Sequence, residues 1–175
     1  MSHKLAMQAG PRDHASGGDQ AAITLVEYGD YECSFCGRAY PIVKNVRRHF
    51  GDKLRFVFRN FPLRQHPHAE LTAEFVEAAA AQGKFWDTHD MIYEHQNALE
   101  VANLIEYATR LRLDVKRITL ELETHAHLPR VKEDVTSGAQ SGVDAAPGFF
   151  INGEKFEGDW SGTEFIDTLT RLVRP

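Results

Sequence analysis

The chain contains only two cysteines, Cys33 and Cys36, and two residues separate them. They follow an apolar run, residues 23–28, that predicts a β-strand. If a helix begins at the cysteines, Cys33 lies at its end facing solvent and Cys36 lies one turn further in. The unpaired backbone N–H groups and the positive end of the helix dipole stabilise a thiolate there, so we expect a lowered pKa for Cys33. A thiolate at neutral pH is the nucleophile that thiol-disulfide exchange requires.

Metal binding is an alternative for the same cysteines, because this spacing also supplies half of some zinc sites. A four-ligand site would need a second pair of ligands nearby. Two His-x-His pairs are present, His66 with His68 and His125 with His127, and they could bind zinc or copper together with the dithiol. A proline inside the first pair and the predicted distance of the second pair disfavour one shared site. We therefore expect no metal and no cofactor.

Glu27 is the one acidic residue in the apolar run before the cysteines. A carboxylate in a buried strand costs free energy unless it is neutral or paired, so burial would raise the pKa of Glu27 and make it a possible proton carrier. The alternative is that Glu27 lies at the strand end in contact with water.

Length and composition favour a single domain with a full core, since the chain has 175 residues of which 42% are hydrophobic. Its 20 Lys and Arg residues are scattered among 25 acidic residues, for a net charge of −5. No long basic run points to nucleic-acid binding. No apolar segment has the length of a membrane-spanning helix, so we expect no membrane insertion.

Residues 1–20 are polar and glycine-containing, and we expect a flexible tail there. They lack the apolar stretch that a secretory signal requires. If the chain is full length, we therefore expect a cytoplasmic protein. If a signal peptide has been removed, a periplasmic or exported protein is expected instead.

The elements that must hold the cysteines follow from hydrophobic periodicity. After Cys33, apolar residues recur at helical spacing up to Phe50, and residues 54–58 predict a second strand. The result is a parallel, right-handed β-α-β unit. From about residue 62 to 142, only helical stripes are found, which predicts an inserted helical subdomain rather than a loop.

The last part of the chain returns to β structure. Residues 148–151 and 154–157 flank an Asn-Gly turn and predict a hairpin, with Pro147 at the first strand position, where a cis bond could turn the chain. A capping box from Ser161 to Glu164 predicts the start of a final helix.

These motifs together resemble the DsbA-like branch of the thioredoxin superfamily over residues 21–172. The features that carry the resemblance are a glutamate six residues before the first cysteine, a CxxC motif opening a helix, the long helical insertion, and the proline shortly before Phe-Phe-Ile-Asn-Gly. The lead-in Tyr28 to Cys33 and the stretch His66 to Ala69 look most like the thioredoxin-type modules of that branch found alone or fused to sodium/proton antiporters.

The resemblance implies an α/β thioredoxin fold over residues 21–175, with a mixed central sheet flanked by helices and an inserted all-helical subdomain. It also implies site roles. Cys33 is the attacking thiol, Cys36 the resolving thiol, Pro147 the cis-proline facing them, and Glu27 the buried acid beneath Cys36. We expect the residues around these positions to contact substrate, namely Ser34, Phe35 and Ala146.

The chain departs from such modules at Ala146 and Gly148, where threonine is frequent, and its Ser34-Phe35 dipeptide lacks the histidine of strongly oxidising members. We therefore expect a Cys33 pKa of about 5 to 7 and a reduction potential of roughly −170 to −250 mV.

The expected function is that of a protein disulfide oxidoreductase, working as a monomer on protein thiols and disulfides. A separate redox partner, which the sequence does not identify, would recycle the dithiol. An alternative is a redox-responsive regulatory or binding module, in which the dithiol switches partner affinity without turnover. A metal-binding CxxC protein is less favoured. So is a glutathione-using isomerase, because such proteins generally work without this dithiol.

Overall fold

The computed structural model describes residues 3–174, and its strands form one mixed five-stranded sheet in the order β1-β3-β2-β4-β5. Neighbours β2 and β3 run parallel, whereas the other neighbouring pairs are antiparallel. The predicted mixed sheet is thereby confirmed. The strands are β1 (His14–Ser16), β2 (Ile23–Gly29), β3 (Leu54–Asn60), β4 (Gly148–Ile151) and β5 (Glu154–Phe156).

Helix α1 (Ser34–Phe50) connects the two parallel strands β2 and β3. It buries Ala39, Val43 and Val46 against the sheet, at the spacing expected for one helix face. The helix ends at Gly51, whose φ of 50° lies in the region that glycine adopts without steric cost. A short 3-10 turn, Gly51–Lys53, then leads into β3.

Five helices lie between β3 and β4, where the sequence predicts a helical insertion. Each contributes at least one fully buried apolar side chain to the core cluster that also contains the sheet residues. The insertion therefore packs on the sheet and is not a separate body. The helices are α2 (Ala69–Ala80), α3 (Phe85–Tyr93), α4 (Val101–Arg110), α5 (Val115–Glu123) and α6 (Leu128–Gln140).

The final helix, α7 (Thr163–Leu172), buries Phe165 and Leu169. The predicted capping box requires Ser161 as the N-cap residue. The observed N-cap is Gly162, so the helix begins one residue later. The hydroxyl of Ser161 instead donates a hydrogen bond to Asp159. The capping-box prediction is therefore wrong, although the helix itself is present.

The predicted flexible tail over residues 1–20 is wrong for most of that segment. Leu5 is buried, and its N–H donates to the carbonyl of Gly153 at 2.9 Å. Further along, β1 pairs with β3 at the opposite sheet edge. Asp13 forms an ion pair with the buried guanidinium of Arg59 at 2.8 Å. The sequence does not predict this ordered arm, because strand pairing and one buried ion pair hold it in place. Neither contact produces an apolar run in the sequence. Residues 1 and 2 lie outside the described part.

Strand alternation decides which residues of β2 can reach the cysteines. Leu25 belongs to the core cluster that contains α1, whereas Val26 and Tyr28 belong to the cluster on the other face. Glu27, two residues after Leu25, therefore shares the face that carries α1. Within residues 3–174, no helix has both the length and the apolar character to cross a bilayer.

Candidate active site

The first cysteine occupies the N-cap position of α1, with extended backbone angles (φ −73°, ψ 123°). The side-chain amide of Gln96 donates to the carbonyl oxygens of Tyr31 (2.8 Å) and Cys33 (3.0 Å) and so ties this turn to the segment after α3. Gly37 permits the approach, because a Cβ atom there would lie 1.9 Å from the Gln96 amide oxygen. The insertion thus helps to hold the cysteine turn in place.

The thiol of Cys33 is less open than the sequence predicts, since the residue is only 5% exposed. Its Sγ lies 3.5 Å from the carbonyl oxygen of Ala146, to which the thiol donates in its protonated form. The hydrogen bond from the Cys36 thiol, together with the backbone N–H groups of Cys36 and Phe35, outweighs burial and the charge of Asp30, so the pKa of Cys33 is lowered to about 6. This value lies inside the range expected from the sequence.

The second cysteine differs from the first in burial and in pKa. Cys36 is fully buried, and its Sγ accepts a hydrogen bond from the backbone N–H of Asp30 at 3.4 Å. Burial, followed by the interaction with Cys33 and the charge of Glu27, raises the pKa of Cys36 well above its usual value. At neutral pH the pair therefore consists of one thiolate and one thiol, both free of a disulfide in this structure.

The segment before β4, which is distant from the cysteines in sequence, forms the other side of the site. The Ala146–Pro147 peptide bond is cis. Ala146 is buried and presents its carbonyl oxygen to Cys33. Gly148 then starts β4 and pairs with Tyr28 of β2, which fixes this segment beside the cysteine turn.

Glu27 is only 3% exposed, so the water-exposed alternative is wrong. Burial raises its pKa to about 8, and the carboxyl group is therefore mostly protonated at neutral pH. It lines a small cavity together with Tyr40, Lys44 and Tyr93. The hydroxyl of Tyr93 is buried there and has no hydrogen-bond partner among the described residues.

The dipeptide between the cysteines faces outward. Ser34 and Phe35 are exposed, and Phe35 retains 53% of its surface. The guanidinium of Arg38 lies 4.5 Å from the centre of the Phe35 ring. A groove runs from here to the loop before α7, and it is lined by Phe35, Arg38, Ile42, Asp159, Trp160 and Ser161.

The histidines of the two His-x-His pairs are hydrogen-bonded to carboxylates. His66 contacts Asp30 at 2.7 Å and His68 contacts Glu32 at 2.9 Å. The second pair makes similar contacts, His125 with Glu74 and His127 with Glu121. Across the described residues 3–174, no group of three or more His, Cys, Asp or Glu side chains is arranged to hold a metal ion.

Sequence reasoning missed two groups that shape this site. Asp30 lies in the lead-in to the cysteines, but its spacing gave no sign that its carboxylate would be 0% exposed and bonded to the cysteine turn. Gln96 lies in the stretch between α3 and α4, and no local pattern could have connected it to Cys33.

Comparison with known proteins agrees with this geometry. A family model described as Thioredoxin matches residues 9–170. The Na(+)/H(+) antiporter NhaA 1 of Mycobacterium sp. (strain KMS) is 41% identical over 161 residues, which cover 90% of this chain and 26% of the antiporter. The chain thus spans about a quarter of the length of the curated relatives it matches.

Two solved structures are similar in fold across nearly the whole chain. Oxidised BdbD from Bacillus subtilis has a TM-score of 0.84 at 20% identity, covering 97% of this chain and 98% of BdbD. Alpha-DsbA1 from Wolbachia pipientis has a TM-score of 0.81 at 18% identity, covering 95% and 93% of the two chains. Together they show a DsbA-type thioredoxin fold.

Proposed function

The chain belongs to the thioredoxin family, and on that premise we propose that it is a thiol-disulfide oxidoreductase that exchanges its Cys33–Cys36 dithiol with disulfides of protein substrates. The observation that supports this most directly is the difference between the two thiols. The pKa of Cys33 is lowered to about 6, whereas burial raises that of Cys36. Cys33 is therefore the nucleophile at neutral pH, and Cys36 stays protonated until the second step.

In the proposed reaction, the Cys33 thiolate attacks one sulfur of a substrate disulfide. A bond between Cys33 and that sulfur forms, and the other substrate sulfur leaves as a thiolate that takes up a proton. Cys36 then loses its proton and attacks Cys33 Sγ, which releases the second substrate thiolate. The cysteine pair has lost two electrons and the one proton of Cys36, and the two substrate thiolates become thiols by taking up that proton and one from solvent. The reverse sequence oxidises a substrate dithiol.

We propose that the ionised form of Glu27 accepts the proton that Cys36 must lose in the second step. A base for this step has to lie inside the protein, because Cys36 is fully buried. Glu27 is buried on the same face of the sheet, and its charge already contributes to the raised pKa of Cys36. Its own pKa of about 8 suits proton exchange near neutral pH.

Two features support protein segments as substrates. The carbonyl oxygen of Ala146 lies beside Cys33 and could accept a backbone N–H from an extended substrate. The groove from Phe35 to Trp160 offers an apolar surface flanked by the opposite charges of Arg38 and Asp159. A small disulfide needs neither contact, so these features predict a preference for polypeptide disulfides.

Turnover with insulin and dithiothreitol tests the proposal. The wild-type protein should accelerate the precipitation of reduced insulin chains catalytically, and Cys33→Ser should abolish this. A protein that is oxidised once by insulin and then stops would be a regulatory module rather than an enzyme. Lack of any reaction between reduced protein and insulin would refute the proposed function.

A further inference from the structure

Asp30 connects the cysteine turn to the loop that precedes α2. Its carboxylate accepts four hydrogen bonds, two of them from the backbone N–H groups of Glu32 (2.7 Å) and Cys33 (3.2 Å). The other two come from the backbone N–H of Leu63 (2.8 Å) and the ring Nδ1 of His66 (2.7 Å). The side chain is fully buried.

The mechanism proposed above assigns no role to this carboxylate, yet Asp30 contacts both cysteines. Its residue donates a backbone N–H to Cys36 Sγ at 3.4 Å and binds the backbone N–H of Cys33. A buried negative charge at this place disfavours a second negative charge on Cys33. The charge of Asp30 is indeed among the influences that raise the pKa of Cys33, in opposition to the hydrogen bond from Cys36.

His66 is the cation that can offset this charge. Its side chain is 24% exposed, so its ring exchanges protons with solvent while Nδ1 stays bonded to Asp30. Burial lowers the pKa of His66, but the hydrogen bond to Asp30 and the charges of Asp30, Cys33 and Glu32 outweigh it, and the pKa is raised. A pKa raised above 6.5 keeps most of the His66 rings protonated at pH 6, where Cys33 titrates. The neighbouring His68 is bonded to Glu32 and Glu100 instead.

We propose that His66 is a positioning residue for Cys33: its protonated ring holds Asp30, offsets the negative charge that Asp30 places beside the cysteine turn, and so favours the Cys33 thiolate. The inference rests on the proposed function and adds a regulator to the same site. Reactivity of Cys33 then depends on a residue 33 positions away that does not touch its sulfur. Loss of the His66 proton raises the pKa of Cys33. A smaller fraction of Cys33 is then a thiolate at neutral pH, and Cys33 becomes a poorer leaving group.

The test compares His66→Asn with the matched variant His68→Asn. Asparagine keeps an N–H donor for the neighbouring carboxylate in each case but carries no charge. In His66→Asn, the pKa of Cys33 should rise by about one unit, so that alkylation by iodoacetamide at pH 6 slows about five-fold. At pH 9, where both proteins carry the full thiolate, their rates should agree within about two-fold. His68→Asn should follow the wild-type profile throughout.

A second measurement covers the case in which His66→Asn fails to fold. NMR titration of the wild-type His66 ring should give a lower pKa in the disulfide form than in the dithiol form, because oxidation removes the Cys33 thiolate that helps to hold the ring proton.

Two results would overturn the inference. One is an alkylation profile that is unchanged in His66→Asn or shifted equally in His68→Asn. The other is a His66 pKa that does not change on oxidation. Either result leaves the proposed function intact, provided that wild-type Cys33 reacts at pH 6 and insulin is turned over. A wild-type protein without those activities would instead refute the proposed function.

Discussion

The Sγ atom of Cys33 lies 3.5 Å from the carbonyl oxygen of Ala146, to which the protonated thiol donates, although the two residues are 113 positions apart in the chain. The start of α1 and the start of β4 therefore meet at the reacting sulfur. In the proposed reaction, a substrate disulfide approaches Cys33 beside this carbonyl, and the polypeptide that carries the disulfide can donate a backbone N–H to the carbonyl oxygen. The predictions that follow test the chemistry at this junction and the elements that support it.

The two cysteines should differ in reactivity because only Cys33 has a lowered pKa. With limiting iodoacetamide at pH 6, Cys33 should be alkylated at least about ten-fold faster than Cys36. Cys36→Ser should accumulate mixed disulfides through Cys33, and Cys33→Ser should accumulate none. Mass spectrometry of tryptic peptides measures both. Equal labelling of the two thiols would contradict the assigned roles.

Glu27→Gln should slow the resolving step more than the first attack. Glutamine keeps the size and polarity of the neutral acid but cannot accept the proton of Cys36. Stopped-flow mixing of reduced protein with a labelled disulfide peptide separates formation from decay of the mixed disulfide. We expect decay to slow by about 10- to 100-fold while formation changes by less than about three-fold. Slower formation with unchanged decay would exclude Glu27 as the base.

Burial of Glu27 should also make stability depend on pH. The folded pKa is about 8 against an ordinary value of 4.5. Between these values, the unfolded chain releases a proton that the folded protein keeps. The contribution of Glu27 to the free energy of unfolding should therefore be greatest below pH 4.5 and fall by roughly 3–5 kcal/mol as the pH rises to 8.

Urea titrations at pH 4.5 and 8 measure this loss, which should largely vanish in Glu27→Gln. Glu123→Gln, at an exposed position of α5, is the control and should retain the wild-type loss. If Glu27→Gln and the wild type lose the same stability over this interval, Glu27 does not titrate as proposed.

The N-terminal arm should contribute to stability through Asp13. Its partner Arg59 is 1% exposed, so Asp13→Ala leaves a buried guanidinium without its carboxylate. We expect a loss of about 3 kcal/mol in the free energy of unfolding, measured by urea titration. Arg12→Ala, which breaks the exposed ion pair with Glu133, is the matched change in the same arm. It should cost less than about 1 kcal/mol, and comparable losses would argue against the buried pair.

Phe35 should matter for polypeptide substrates only. Its exposed ring borders the groove that reaches Trp160, and truncation removes apolar surface that a bound peptide would cover. Phe35→Ala should lower kcat/KM for insulin by about five- to twenty-fold. The rate with glutathione disulfide should change by less than about two-fold. Leu120→Ala, which removes a similarly exposed apolar side chain from α5, should affect neither.

Local sequence patterns determined most of the framework. The apolar run of β2, the helical spacing after Cys33 and the Asn-Gly turn of the β4-β5 hairpin depend on neighbours a few residues apart. The asymmetry of the two thiols also follows from their place at a helix start, and Asp114 caps α5 by accepting a hydrogen bond from the backbone N–H of Arg117. These features arise from local backbone geometry, which a single sequence contains.

The tertiary structure alone decided which distant groups surround the sulfurs. The carbonyl of Ala146, the amide of Gln96 and the ion pair of Asp30 with His66 reach the cysteine turn through chain crossings that no periodicity encodes. The arm around Asp13 was misjudged for the same reason, since its stability comes from a partner 46 residues away. Burial and electrostatic effects depend on all neighbours in space, so the depth of Cys33 and the charge balance around it appear only once the chain is folded.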